Sequence, residues 1–353
     1  MIVYLTRKRP EFRPLTQTGC YPHHKVAFIK IHKVGGTSVQ NVIQRFGETN
    51  RLLAAVPNKR NVFGKEMKNV VKIPEKLSFD LVYSHMQYFN RSAVERIMPQ
   101  TSVYFTIVRE PLRQLISSFY YYKHVWRFAY LNKIPKDDKE FVDYLLHADK
   151  YEPSDVRDSY TNNRMSYDLG LAEADFRNKT AIERWLRKLD TELDFVLITE
   201  RFNESLVMLR RRLCWSLRDI LYVIKNVNHR KRKVHLSPKV LTVYRNRYMA
   251  DIMLYNYSYA RFQRDIQRQS PDFQDEVSVF EKMLNQVADY CSLAYKPKIL
   301  LLPNSRFDKT PFSPEFELTP WECEMMYLSE LEFAKRTRKK QEGVAFLDEL
   351  ARH

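Results

Sequence analysis

The segment HKVGGTS places a basic residue, two glycines and two hydroxyl residues between an apolar run and a helical pattern. Glycines let backbone N–H groups approach an anion closely, and a helix N-terminus adds partial positive charge. The pattern therefore predicts a loop that holds one terminal phosphate. Its expected ligands are the residues Lys33, Val34, Gly35, Gly36, Thr37 and Ser38. The alternative is a tight turn in which Thr37 only caps the following helix.

This loop differs from the loop that binds nucleoside triphosphates. That motif reads GxxxxGK[ST], with the lysine after the second glycine and a hydroxyl positioned for magnesium. Here Lys33 precedes both Gly35 and Gly36, so the magnesium and γ-phosphate geometry is not predicted. Lys33 is instead free to reach a group attached to the bound phosphate.

A second anion site is indicated by IVREPLRQLISSF. Arg109 ends an apolar run, and Ser117 follows eight residues later on a predicted helix. A guanidinium binds phosphate through two parallel hydrogen bonds, so Arg109 and Ser117 are expected to hold a second phosphate. The alternative is a surface ion pair between Arg109 and Glu110, with Ser117 in solvent. Two phosphate sites at two strand ends suit a nucleotide phosphorylated at both its 3′ and 5′ positions.

Apolar runs alternate with helical patterns along most of the chain, which is typical of an α/β fold with a central parallel sheet flanked by helices. The predicted strands are Val26–Ile31, Asp80–Ser84, Val103–Val108 and Phe195–Thr199. Residues 50–78 are expected to be irregular, and helices dominate from about Ser237 onward. We expect ligands at the C-terminal ends of the strands. The predicted division is an irregular lead-in (1–24), an α/β domain (25–269) and a helical C-terminal extension (270–353).

The formal net charge of +17 favours acidic partners. These are nucleic acid, an anionic membrane surface, or substrates that carry phosphate or sulfate. The basic run HRKRKVH, from His229 to His235, suits the same three classes or a solvated face. A nucleic-acid-binding protein built around Arg230–Lys233 would leave the paired phosphate loops without a purpose, so no nucleic-acid partner is predicted.

The four cysteines contain no CxxC pair, so a zinc site is not predicted and disulfide pairing stays open. Four Asn-x-Ser/Thr sequons favour a secretory lumen mildly. No apolar stretch approaches the roughly 18–20 residues of a membrane span. The opening MIVYLTRKRP is too short for a signal peptide. Taken literally the chain is expected to be soluble; a luminal fragment or an incomplete gene model are the alternatives.

The two loops together resemble known sequences. FIKIHKVGGTSVQNVIQRF is similar to the 5′-phosphosulfate loop of Golgi carbohydrate sulfotransferases, and IVREPLRQLISSF to their 3′-phosphate motif. The pattern most resembles the galactose 3-O-sulfotransferase family, which includes galactosylceramide sulfotransferase. The resemblance covers about Lys25 to Phe262 and includes YSHMQYFNRSAV, MSYDLGL, FVLITERFNESLVMLRRRLCW and ADIMLYNYSYARF.

The resemblance implies a P-loop-like sulfotransferase fold and a reaction. Sulfate would pass from 3′-phosphoadenosine 5′-phosphosulfate, without a metal, to the 3-hydroxyl of a β-galactoside on glycolipid or glycoprotein. A glycosaminoglycan uronic acid or another sugar hydroxyl is the alternative acceptor. Lys33 would act on the leaving phosphate, and Arg109 and Ser117 match the family's 3′-phosphate contacts. The family implies a Golgi lumen or membrane location, although its N-terminal membrane span is absent from this chain.

A sugar hydroxyl is a weak acid, so its transfer needs a general base, and histidine suits this role near neutral pH. His85 follows the predicted strand Asp80–Ser84 and resembles the base of the related heparan sulfate 2-O-sulfotransferases. His32 is the rival, but it is expected on the other side of an extended backbone from Lys33. Weaker candidates for acceptor or donor contacts are Ser84, Gln87 and Asn163.

Overall fold

A computed structural model describes residues 20–59, 61–64, 66–74, 77–224, 234–294 and 302–350, with side chains in the last range up to residue 343. The strands are β1 Val26–Ile29, β2 Ala54–Ala55, β3 Val62–Phe63, β4 Leu81–Val82, β5 His85–Met86, β6 Val103–Val108, β7 Phe195–Ile198, β8 Ser305–Phe307 and β9 Phe316–Leu318. The helices of the first half are α1 Gly36–Thr49, α2 Arg91–Glu95, α3 Pro111–His124, α4 Ala129–Asn132, α5 Glu140–Leu146, α6 Ala148–Tyr151 and α7 Arg164–Asp168. Those of the second half are α8 Lys179–Glu192, α9 Phe202–Leu213, α10 Pro238–Arg247, α11 Met249–Gln267, α12 Phe273–Ala294, α13 Pro320–Tyr327 and α14 Glu330–Leu350.

The central sheet has five parallel strands in the order β2-β4-β1-β6-β7, with helices packed around it. All four predicted strands are present: β6 has the predicted bounds and the other three are shorter than their apolar runs, so the α/β prediction is confirmed. The fifth strand, β2, lies in the region expected to be irregular. Ala54–Ala55 is too short to leave a periodic pattern, and only its pairing with β4 makes it a strand.

The strand order creates a switch point between β1 and β6. After β1 the chain moves to β4 and β2 on one side of the sheet, whereas β6 and β7 lie on the other side. The connections that leave β1 and β6 therefore diverge, and a crevice opens beyond the C-terminal ends of these strands. The two predicted anion loops follow these two strands.

Strands β1, β6 and β7 are buried on both faces, which explains their continuous apolar runs. The rings of Phe28 and Phe105 lie 5.1 Å apart, and those of Phe105 and Phe195 lie 4.9 Å apart, so one row of rings crosses β1, β6 and β7. A second cluster joins α3 to α5 and α10 through Phe119, Tyr122 and Tyr244. Tyr122 is buried in this cluster and is therefore not available to a ligand.

The C-terminal segment packs against the sheet domain. Phe280, Leu318 and Met326 belong to the same hydrophobic core as the central strands. A small antiparallel hairpin of β8 and β9 interrupts the helices expected after residue 270. Both cysteine pairs form disulfides: Cys20–Cys214 ties the lead-in to the end of α9, and Cys291–Cys323 joins α12 to α13.

Two features of the sequence fall largely outside the described residues. These are residues 1–19 of the lead-in and residues 225–233, which contain most of the basic run HRKRKVH. Among the helices that the structure describes, none combines the length and the apolar character that crossing a bilayer requires.

Candidate functional site

The loop after β1 turns sharply before α1 begins at Gly36. Lys33 and Gly35 both adopt left-handed backbone conformations, with φ angles of 63° and 81°. Thr199, directly after β7, donates from its hydroxyl to the carbonyl oxygens of Val34 and Val108. A Cβ atom at Gly35 would lie 3.5 Å from the Thr199 side chain. The loop is therefore clamped between neighbouring strand ends, and the first turn of α1 contains no acidic residue of its own.

The Lys33 side chain leaves this loop towards α3. Its ammonium lies 3.5 Å from the centroid of the Tyr121 ring, which is a close cation–π contact. Burial, and next the positive charge of Arg109, lower the pKa of Lys33 to about 8. A lysine with this pKa is charged at neutral pH but loses its proton far more easily than a solvated one.

Arg109, which directly follows β6, contacts the same loop. Its Nη1 donates a hydrogen bond to the Lys33 carbonyl oxygen at 3.2 Å. The neighbouring Glu110 does not hold Arg109 at the surface, because its carboxylate caps α3 by accepting from the amides of Leu112 and Arg113 at 3.1 and 2.8 Å. The structure thus brings Arg109 and the loop together. Ser117 lies half-buried further along α3, and its contact with a nucleotide stays a prediction.

The two candidate histidines lie against each other. The rings of His32 and His85 stack with centroids 4.0 Å apart and planes 13° apart. We expected His32 on the other side of the backbone from Lys33; its ring contacts His85, whereas the Lys33 ammonium contacts Tyr121. Residue 30 forms a parallel bridge with His85, which brings β5 alongside the loop. The His85 ring therefore lies over the His32 ring.

Asp168 fixes the His32 ring. One carboxylate oxygen of Asp168 lies 2.6 Å from His32 Nδ1 and also accepts from the His32 backbone amide at 3.0 Å. The other oxygen is ion-paired with Arg164 at 2.8 Å. We assign the proton to Nδ1 of His32 because its partner is a carboxylate. Burial raises the pKa of Asp168, but Arg164 and His32 outweigh it and hold that pKa below its usual value.

Both imidazoles are neutral at neutral pH. Burial, then the neighbouring His32 and Lys30, hold the pKa of His85 well below its ordinary value of 6.5. Burial also lowers the pKa of His32, although Asp168 opposes this shift. His85 Nδ1 is buried and has no hydrogen-bond partner among the described residues. The pair can therefore accept a proton.

An aromatic row runs from the histidines to the surface. The ring of Tyr160 lies edge-on to His32 at 5.1 Å, and Phe128 lies 5.1 Å from Tyr160. Trp126 follows at 6.2 Å from Phe128, and its side chain is 58% exposed. We call Trp126, Phe128 and Tyr160 the aromatic row. Such surfaces stack on the apolar faces of sugars, adenine or lipid chains.

Several residues of the site escaped sequence reasoning. Gln114 ties α3 to the loop by donating to the His32 carbonyl oxygen at 3.0 Å. Lys30 is ion-paired with Glu330 of α14, and the Thr37 hydroxyl donates to the same carboxylate. Asp168, Gln114 and Lys30 lie in the quoted segments MSYDLGL, IVREPLRQLISSF and FIKIHKVGGTSVQNVIQRF, whereas Glu330 lies in none of them.

Two of the weaker candidates serve the fold. The side chain of Ser84 is fully buried and donates to Asn61 at 3.3 Å. Asn163 is buried too and donates to the Arg247 carbonyl oxygen at 2.9 Å. Over the described ranges, no three His, Cys, Asp or Glu side chains are grouped to hold a metal ion.

Known proteins carry the same sequence pattern. The sequence model of the galactose-3-O-sulfotransferase family matches residues 4–295. Human galactosylceramide sulfotransferase is 28% identical over 253 residues, which cover 70% of this chain and 59% of that protein. Human galactose-3-O-sulfotransferase 3 is 32% identical over 270 residues, covering 72% of this chain and 60% of that protein. The chain thus spans less than two thirds of the length of these relatives. Because the family model matches most of the chain, the chain belongs to the galactose-3-O-sulfotransferase family.

Proposed function

We propose that the protein is a carbohydrate sulfotransferase with a P-loop-like sulfotransferase fold. The donor would be 3′-phosphoadenosine 5′-phosphosulfate and the acceptor the 3-hydroxyl of a β-galactoside on glycolipid or glycoprotein. One observation carries the proposal: the hydrogen bond from Arg109 to the Lys33 carbonyl oxygen joins the two anion loops at the switch point of the sheet. Family membership supports the same chemistry.

The residues of the two loops would hold the donor at both ends. Backbone amides from Val34 to Ser38 and the hydroxyls of the first helical turn would bind the 5′-phosphate at the start of α1. Arg109, with Ser117 on α3, would bind the 3′-phosphate through its guanidinium. Fixed cationic groups would then balance the donor's charge without a metal.

Sulfuryl transfer resembles phosphoryl transfer, an in-line displacement with positioning and charge neutralisation as its main demands. The acceptor oxygen would form a bond to sulfur while the bond from sulfur to the 5′-phosphate oxygen breaks. Lys33 would stabilise the charge that develops on that leaving oxygen, because an ammonium on a flexible side chain can follow that oxygen. Its resting contact with Tyr121 keeps the ammonium beside the loop.

His85 would take the proton of the acceptor hydroxyl, since it is neutral at neutral pH and lies beside the loop. His32, held by Asp168, would keep the His85 ring in place through stacking. The same geometry supports His32 as an alternative base, because the carboxylate of Asp168 would stabilise the imidazolium that forms.

The acceptor sugar would lie along the aromatic row, which leads from the histidines to solvent. A net charge of +17 favours the second acceptor class, an anionic glycosaminoglycan, over a neutral glycolipid. The two disulfides support the secretory lumen, and hence the Golgi lumen or membrane surface that the family suggests.

Thermal unfolding and transfer assays test this proposal. 3′,5′-phosphoadenosine should stabilise the protein equally with and without EDTA, because a ligand that binds only the folded state raises its stability. Stabilisation by ATP that requires magnesium would instead indicate a kinase. Labelled sulfate should pass to β-galactosides in a panel that also contains heparan and chondroitin. Transfer only to the latter two would establish the second acceptor class.

A further inference from the structure

A carboxylate from the C-terminal segment lies beside the loop after β1 (residues 33–38). We call it the donor loop, because it would bind the sulfate donor. Glu330, the first residue of α14, accepts from the Lys30 ammonium, from the Thr37 hydroxyl and from Asn61 Nδ2, the last at 2.8 Å. Three donors from three different parts of the chain thus meet on one side chain. Thr37 is itself a predicted ligand of the 5′-phosphate, so the contact reaches the donor loop directly. The family match ends at residue 295 and does not include Glu330.

The carboxylate of Glu330 is the counter-ion of the buried Lys30 ammonium. Its side chain is only 1% exposed and passes beneath the first turn of α1, where a Cβ atom at Gly36 would lie 3.3 Å from Lys30 Cγ. The ammonium also donates to Gln40 on α1. A buried ammonium without a counter-ion is strongly destabilising, whereas a paired and hydrogen-bonded one is tolerated. Glu330 is the carboxylate that the structure pairs with Lys30.

Helix α14 is held by contacts that do not involve Glu330. Gln341 donates to the Ala54 carbonyl oxygen at 2.8 Å, and Arg338 donates to the Pro57 carbonyl oxygen at 3.0 Å. Phe333, on the same helix, is buried. The disulfide Cys291–Cys323 anchors the preceding α13. Glu330 therefore projects from a fixed helix rather than from a mobile arm.

We propose that Glu330 is a positioning residue of the donor loop, which holds the Thr37 hydroxyl and the first turn of α1 in place and balances the charge of Lys30. This inference rests on the proposed function of the loop. The C-terminal segment thereby completes a site that is otherwise built by the family-matched part of the chain.

The charge of Glu330 also acts on Lys33. The groups that face Lys33 are Arg109 at the end of β6, Lys30 after β1, Glu330 on α14 and the Tyr121 ring on α3. Besides burial, Arg109 and Lys30 lower the pKa of Lys33, whereas Glu330 raises it. Removing the negative charge of Glu330 should therefore move the pKa of Lys33 further below 8.

The test compares Glu330→Gln with Glu342→Gln, an exposed glutamate on the same helix. Calorimetry measures the affinity of each protein for 3′,5′-phosphoadenosine, and thermal unfolding confirms that each is folded. We expect Glu330→Gln to bind about tenfold more weakly, the effect of weakening one charge-assisted contact, and Glu342→Gln to match the wild type. The alkaline limb of kcat/KM should also move to lower pH in Glu330→Gln, which a purely structural role would not cause. Glu330→Asp, which keeps the charge, should restore that limb.

Equal or tighter nucleotide binding by folded Glu330→Gln overturns the inference; tighter binding would mean that Glu330 competes with the phosphate. If Glu330→Gln does not fold, the double variant Lys30→Met, Glu330→Leu replaces the buried pair by apolar side chains, which is often neutral for stability. It should fold and still bind the nucleotide weakly, and normal affinity would overturn the inference. The wild type is measured first, because its failure to bind would remove the proposed function itself.

Discussion

The guanidinium of Arg109 donates a hydrogen bond to the carbonyl oxygen of Lys33 at 3.2 Å. This contact crosses the switch point between β6 and β1, where the two connections would otherwise diverge. Nε of Arg109 is buried and has no hydrogen-bond partner among the described residues, so the guanidinium keeps donor capacity for an anion. Arg109 thus shapes the loop and, under the proposed function, would also contact a phosphate of the nucleotide.

Arg109→Ala should weaken binding of 3′,5′-phosphoadenosine by about 10- to 100-fold, since hydrogen bonds to charged groups contribute roughly 1.5–3 kcal/mol. Calorimetric titration measures the affinity. Arg187→Ala, which removes an exposed arginine from α8, serves as the control for the loss of one positive charge. Equal affinities in the two variants would remove Arg109 from the nucleotide site.

Lys33→Ala should lower kcat by on the order of 10²–10³, the usual effect of removing one donor from a developing oxyanion. Nucleotide affinity should change much less, because the backbone amides of the loop remain. Single-turnover transfer and product binding separate the two effects. Lys179→Ala, at an exposed lysine of α8, is the matched control. A variant with normal single-turnover rates would assign leaving-group stabilisation to another residue.

The sequence predicted the parts of the fold that have local signals. Strands β1, β6 and β7 are continuous apolar runs because they are buried on both faces, and the loop after β1 shows its glycines and hydroxyls directly. Lys33, Arg109 and His85 could be placed because each follows a recognisable strand. Strand β2 gave no signal, since two residues cannot display a period.

What escaped prediction depends on long-range contacts. Asp168 lies 136 residues from His32 in sequence, and Glu330 lies 293 residues from Thr37. Glu330 carries no local pattern that distinguishes it from a solvated carboxylate, and Asp168 is marked only by the quoted MSYDLGL segment in which it lies. The stacking of His32 on His85 was missed for a related reason, because it depends on the bridge between residue 30 and His85 and not on a local pattern.

The pH dependence of transfer should be bell-shaped. Lys33 must be protonated to act on the leaving group, and its pKa in the free enzyme is about 8, so kcat/KM should fall as the pH rises through about 8. The base must be neutral, and burial holds the pKa of His85 well below 6.5, so the acid limb should lie below that pH. The alkaline limb of kcat should lie higher than that of kcat/KM, because a bound phosphate favours the ammonium.

Lys33→Arg provides the control, because a guanidinium stays protonated throughout this range. Its residual activity should lack the limb near pH 8. Persistence of that limb would assign it to a different group.

His85→Ala should abolish transfer and leave nucleotide affinity unchanged, because the base acts on the acceptor.

Asp168→Asn should lower kcat by about 10- to 100-fold, as loss of a partner that orients an imidazole commonly does. If His32 is the base, Asp168→Asn should also move the acid limb to lower pH, since Asp168 raises the pKa of His32. If His32→Ala loses transfer while His85→Ala keeps it, the base is His32.

Trp126→Ala tests the aromatic row. The Trp126 side chain is 58% exposed yet belongs to a line of rings that ends at His32, so its removal should raise the KM for the acceptor. One stacked ring contributes about 0.5–1.5 kcal/mol, so its loss corresponds to roughly a 2- to 13-fold increase in KM. The control is Trp321→Ala, an equally bulky ring that is 46% exposed at the start of α13. Because the row lies on the histidine side of the loop, nucleotide affinity should stay constant. A change in nucleotide affinity with an unchanged acceptor KM would assign these rings to the adenine instead of the sugar.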